Sequence, residues 1–150
     1  MKNNNQTCCL IGPRQINDGE VLRLQTRLDE EIGRAAEQGV LYFVSGAMPG
    51  FQTLAALAVL KQQRKNPAIH LVLVLPMEGV FRPANALDAI IFAFIKDRAS
   101  HIVHSRNCPR YQLVCSGFCI YYLPPEYRFS SANLLLAQAR QKGLVCLPCM

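Results

Sequence analysis

Residues 41–53 read Leu-Tyr-Phe-Val-Ser-Gly-Ala-Met-Pro-Gly-Phe-Gln-Thr, and no other stretch narrows the choice of fold as far. Four apolar residues run into Ser45 and Gly46, a short loop reaches Gly50, and a helical pattern begins at once. A strand, a glycine-bearing turn and a helix start therefore follow one another without a gap. Such a junction aims backbone N–H groups and the positive end of a helix dipole at one point, which suits an anion such as phosphate.

The same rhythm recurs along the chain. Residues 7–11 read as a first strand that ends at Gly12, and Asn17 with Glu20 resembles the capping-box start of a helix. Val21, Leu24, Leu28, Ile32 and Ala35 then recur at helical spacing, and Gly39 is placed to stop that helix. A second helix over about 50–65 is apolar on most faces and closes at Asn66-Pro67. Residues 69–75 are apolar except for His70, the pattern of a central parallel strand covered on both faces, ended by Pro76. Next come a helix over 85–97, a strand over 101–104, a short helix within 109–117 and a strand over 118–123. Ser130 or Ser131 caps a last helix over 132–142, and 144–147 form the final strand. This alternation predicts an α/β fold of three layers, a doubly wound, mainly parallel sheet with helices on both faces. The expected unit is one domain over 1–150, with 1–6 as a flexible tail. Ligands in such sheets sit beyond the carboxyl ends of the strands, where the loops 12–15, 45–50, 76–79, 104–110 and 128–132 would meet.

Composition narrows the partners. The chain has 150 residues, 51% of them hydrophobic, and a formal charge of +6. Its basic residues are scattered, with Arg64-Lys65 the only adjacent pair, so the charge reads as a mildly basic surface and supports a nucleic-acid partner only weakly. Residues 1–7 are too polar for a secretory leader, and the most apolar window, 84–95, is too short to cross a bilayer and contains Asp88. The expectation is a cytoplasmic protein with no membrane partner, its seven cysteines reduced. Cys146 and Cys149 form a Cys-x-x-Cys pair, but no strand-to-helix turn follows and no second pair has ligand spacing. Buried thiols on a loose tail are expected, with no metal site. Cys8, Cys9, His70, His101 and His104 fall on predicted strands and read as packing or strand-end groups rather than a Cys–His catalytic pair. The helix over 85–97 is apolar on nearly every face, which predicts self-association through it.

Taken in order, the loops resemble the SLOG superfamily of Rossmann-like proteins, which includes the Lonely-guy phosphoribohydrolases and DNA-processing protein A, and most of all its small bacterial branch. Leu10-Ile11-Gly12-Pro13-Arg14-Gln15 stands where that branch has a strand and Thr-Gly-His-Arg-Pro. Residues 45–56 stand for its Gly-Gly-Ala-x-Gly-x-Asp-Thr-Leu-Ala-Ala segment, and 73–79 for Leu-Val-Leu-Pro-x-Glu-Gly. Arg110-Tyr111 matches part of an Arg-Asn-Arg-Tyr segment, and 139–144 its Ala-x-x-Lys-Gly-Leu. The resemblance implies a Rossmann-like fold and a pocket for a nucleotide or nucleotide-derived ligand. Its candidate ligand-binding residues are Gly12, Arg14, Ser45, Gly46, Gly50, Glu78, Arg110, Ser130 and Ser131, and it calls for no cofactor.

Departures from the family pattern fall on that pocket. Gln52 stands in place of the family's aspartate, Ser130-Ser131-Ala132 in place of its Gly-Gly-Thr phosphate loop, and Leu135 in place of a catalytic glutamate. Glu78 at a strand end could serve as a general base, but no second carboxylate accompanies it in the motif. The resemblance therefore implies a sensor or accessory factor rather than an efficient enzyme, with no catalytic residue assigned. The alternatives it leaves are a hydrolase of the N-glycosidic bond of a nucleotide and a single-stranded DNA-binding accessory protein.

Overall fold

The computed structural model describes residues 4–46, 48–77, 83, 85–127 and 130–149. Six strands, Thr7–Ile11 (β1), Tyr42–Gly46 (β2), His70–Pro76 (β3), His101–Ser105 (β4), Phe118–Tyr121 (β5) and Val145–Pro148 (β6), pair in parallel in the order β4-β3-β2-β1-β5-β6. Between them run Val21–Glu37 (α1), Phe51–Lys65 (α2), Ala86–Arg98 (α3), Cys108–Val114 (α4) and Ser131–Gln141 (α5). The chain winds outward from β1 to β4, then returns across the sheet to β5 and β6. This reversal between β1 and β5 makes the fold the Rossmann-like, doubly wound class expected, and it sets the switch point there.

Alternation along β1 shows why both faces are covered. Cys8 and Leu10 pack with Leu24, Leu28 and Ile32 of α1 and with Phe51, Ala55 and Val59 of α2. Cys9 and Ile11 point the other way, onto Leu113 of α4 and Ala132, Leu136 and Ala139 of α5. On β3, Leu71, Leu73 and Leu75 join the first core, while Val72 and Val74 meet Tyr111 of α4 and Cys115 just after it. A continuous apolar run is what burial on both faces requires.

Three details differ from the sequence expectations. The capping box does not form: Asn17 makes no side-chain cap, its Nδ2 donates to Glu126 Oε2 at 3.3 Å, and a 3-10 turn over Asp18–Glu20 precedes α1. Glu20 instead pairs with Arg23. Within the expected tail, Asn4–Gln6 form a 3-10 turn, and the Gln6 carbonyl accepts from the Leu41 N–H at 2.8 Å. The Cys-x-x-Cys pair is not a loose tail but part of the sheet edge, with the Cys149 N–H donating to the Tyr121 carbonyl at 2.8 Å. Its two thiols face opposite sides, Cys146 toward α5 and Cys149 into the core beneath α1 and α2. Alternate faces separate them, so they are not a redox or ligand pair.

Helix α3 is half covered. Ile95 is buried, and Ile91 and Phe92 pack against the first core, while Leu87, Ile90 and Phe94 remain exposed. No helix among the described residues is long and apolar enough to cross a membrane.

Candidate functional site

Two glycines bring the first two loops together. At Gly50, φ is +80°, and a Cβ there would stand 2.4 Å from the backbone carbonyl of Arg14. A Cβ on Gly12 would meet the Phe51 ring at 2.3 Å. The β1–α1 and β2–α2 loops thus lie in direct backbone contact, which only glycine permits at these two places. The Phe51 N–H donates to the Pro13 carbonyl at 3.0 Å, so the first turn of α2 is capped by the neighbouring loop.

Beyond this junction, at the carboxyl ends of β1 to β4, lies a cleft of about 850 Å³. Its first wall is Ile11 to Gln15, its second Gly46, Met48, Pro49 and Gln52, and its third Ser105 to Pro109 with Gln112 and Leu113 of α4. Ser130, Ser131, Ala132, Leu134 and Leu135 at the start of α5 close the fourth side. The cleft thus sits at the predicted place, and its size is within the ordinary range for small-molecule pockets.

The nine candidate residues divide. Gly12, Arg14, Gly46, Ser130 and Ser131 line the cleft. Ser45 does not: its side chain is fully buried and its Oγ donates to the Gln52 carbonyl at 3.0 Å, which leaves no hydroxyl for a ligand. Gly50 serves the loop packing just described and lies behind the lining. Arg110 is exposed on α4 and lies outside the lining. Glu78 lies outside the described residues. Ser130 caps α5, its Oγ accepting from the Asn133 N–H at 3.4 Å.

Two residues that the sequence alone did not single out fill the gaps. Arg106 enters the cleft from the end of β4, with Asn107 beside it capping α4 through the Arg110 N–H at 3.1 Å. The Arg-Asn dipeptide closing a predicted strand was the available signal, four residues before the arginine chosen from the motif. Arg14 and Arg106 join no ion pair among the described residues, and the described lining includes no carboxylate.

Gln52 forms a bridge between the first two strand ends. Its Nε2 donates to the Leu10 carbonyl and its Oε1 accepts from the Gly46 N–H. Gln112 is the converse case. It is 6% exposed and lines the cleft, yet no described group hydrogen-bonds its side-chain amide. The only solvent-excluded side-chain N or O without a partner among the described residues is Arg27 Nε, so the Gln112 amide keeps its access to the cleft and to whatever fills it. Cys108 also lines the cleft, and burial pushes its thiol above the ordinary value, toward the neutral form.

No family model matches the chain, and no curated protein matches it in sequence. Among solved structures it is similar to DNA processing protein A from Helicobacter pylori, a protein described for its single-stranded DNA binding mode. The two superpose with a TM-score of 0.55 at 16% identity, over 94% of this chain and 63% of that one. The chain therefore spans less than two thirds of that protein's length. At this identity, what the two share is the fold.

Proposed function

We propose that the cleft binds a phosphorylated nucleotide or nucleotide-derived ligand, and that the chain is a SLOG-type sensor or accessory factor rather than an efficient enzyme. The observation that carries this reading is the pair Arg14 and Arg106, two guanidinium groups without ion-pair partners among the described residues, on a cleft whose described lining has no carboxylate. Guanidinium forks match phosphate oxygens bidentately. The remaining polar groups of the lining are amides and hydroxyls, which orient a ligand but are poor proton acceptors. Isothermal titration with nucleoside monophosphates tests the reading. Saturable binding supports it, whereas no heat with any of them, or release of free base during the titration, removes it.

Single-stranded DNA is the second reading. The fold shared with DNA processing protein A and the net charge of +6 favour it. A phosphate backbone would release counterions on binding, so affinity for an oligonucleotide would fall steeply with salt. A mononucleotide held by two arginines would respond far less. The exposed face of α3 supports a further role as a self-association surface, since Leu87, Ile90 and Phe94 together leave an apolar stripe in water.

A further inference from the structure

We propose that Gln112 reads the base of the bound nucleotide, a step that rests on the nucleotide reading above. Two features single it out. The residue is only 6% exposed, and it opens onto the cleft. Its amide also has no partner among the described residues, although the buried polar groups around it are satisfied: Ser45 bonds to Gln52, and Gln52 bonds to Leu10 and Gly46.

The chemistry of the amide selects the ligand part. It presents a carbonyl acceptor and an NH2 donor side by side, and rotation about the last bond exchanges them. That pairing complements a neutral edge with an adjacent donor and acceptor, as on a nucleobase, where glutamine pairs bidentately with adenine. A phosphate group is a poor match, because the amide carbonyl would face an anionic oxygen. The cleft therefore divides: Arg14 and Arg106 take the charged end of the ligand, and Gln112 takes the base.

Gly46 keeps the approach to this amide open. A Cβ at that position would stand 3.4 Å from Gln112 Nε2, between it and the Gln52 bridge. Leu113 and Leu135 add apolar surface for a planar ring.

The test compares the four ribonucleoside 5′-monophosphates with ribose 5-phosphate and inorganic phosphate, by calorimetry, on the wild type, Gln112→Leu and Gln112→Met. The wild type is expected to bind at least one monophosphate about tenfold or more tighter than ribose 5-phosphate, the scale of a buried hydrogen-bonded pair. In Gln112→Leu that preference should vanish while the affinity for ribose 5-phosphate stays. Gln112→Met, closer in shape, gives the same comparison should the leucine variant fail to fold. Equal loss for both ligands in the variants, or an unchanged preference, would overturn the proposal. So would a wild type that binds the monophosphates and ribose 5-phosphate alike, a result that leaves the phosphate site standing. Failure of all six ligands removes the nucleotide reading itself.

Discussion

The backbone N–H of Gly46 donates to the side-chain Oε1 of Gln52, and through Gln52 Nε2 the bond continues to the carbonyl of Leu10. The β1–β2 register ends at Cys9 opposite Val44, so Leu10 and Gly46 are the groups that the next rung of the ladder would join. Gln52 supplies that rung with a side chain at the point where the strands part to form the cleft. A carboxylate could accept from Gly46 but could not donate to Leu10, so the amide is needed for both contacts.

Gln52→Leu is therefore expected to lower unfolding stability by about 2–4 kcal/mol, since it leaves two strand-end groups unpaired. Gln52→Glu should also destabilise, because it sets an anion against the Leu10 carbonyl. Urea unfolding measures both. A loss within about 0.5 kcal/mol for the leucine variant would mean that water replaces the bridge without penalty.

This bridge also marks how far the sequence could be read. Periodicity placed all six strands and five helices, because burial on two faces writes an unbroken apolar run, as on β3, and a covered helix writes a 3.6-residue stripe, as on α1. The cleft followed from the same logic, since loops after parallel strands must converge. Individual side chains did not. Ser45 and Arg110 matched motif positions, yet Ser45 lies on the strand face beneath α2 and Arg110 on the outside of α4. Direction depends on where each element begins, and a shift of one residue turns a side chain to another face. Arg106 had a faint signal in the Arg-Asn dipeptide after β4, whereas Gln112 carries no local pattern and only its placement at the cleft reveals it.

Gly39 and Gly50 separate two costs of losing glycine. Both have positive φ, +101° and +80°, but a Cβ at Gly39 meets nothing within 4 Å, whereas at Gly50 it meets the Arg14 backbone at 2.4 Å. Gly39→Ala should cost about 1–2 kcal/mol, the backbone term alone. Gly50→Ala should cost clearly more and should also weaken ligand binding, because the β1–α1 loop must retreat. Equal losses in thermal melts of the two variants would show that the loops do not press on each other.

Alkaline pH should weaken the fold through buried thiols. Burial pushes the Cys149 thiol up to about 12, and burial with the neighbouring Cys9 pushes Cys8 well above its ordinary value of 9.0. A proton held more tightly in the folded state stabilises it fully below about pH 9 and is lost as pH rises toward the folded value. Melting temperature should therefore fall from about pH 9 upward, less steeply in Cys149→Ala than in the wild type. Cys146 behaves oppositely: a hydrogen bond from Cys119 and then the charge of Arg140 hold its thiol below the ordinary value. It should be the first cysteine modified by iodoacetamide at neutral pH, which peptide mapping reads directly.

On α3, Leu87 is 65% exposed, Ile90 67% and Phe94 43%, at the spacing of one helix face. The Arg98 guanidinium stacks 3.8 Å above the Phe94 ring and covers one end of the stripe. If this face joins two copies, Ile90→Arg should shift sedimentation toward the monomer without lowering the melting temperature of the monomer. A single sedimenting species of monomer mass in the wild type at high concentration would rule the interface out.

Arg14, Arg106 and Arg110 give the most direct test of which guanidinium groups face the ligand. Arg14 and Arg106 line the cleft from the loops after β1 and β4, and Arg110 lies outside its lining although the motif pointed to it. Removing a charge-assisted bond to phosphate typically costs about 1.5–3 kcal/mol, so Arg14→Ala and Arg106→Ala should each weaken nucleotide binding roughly tenfold or more. Arg110→Ala should leave affinity unchanged. All three positions are accessible and without ion pairs among the described residues, so melting temperatures should stay near the wild-type value. A fall in affinity for Arg110→Ala equal to that for Arg106→Ala would place the ligand outside the cleft. For an oligonucleotide that runs across the surface, all three substitutions would instead lower affinity and flatten its dependence on salt.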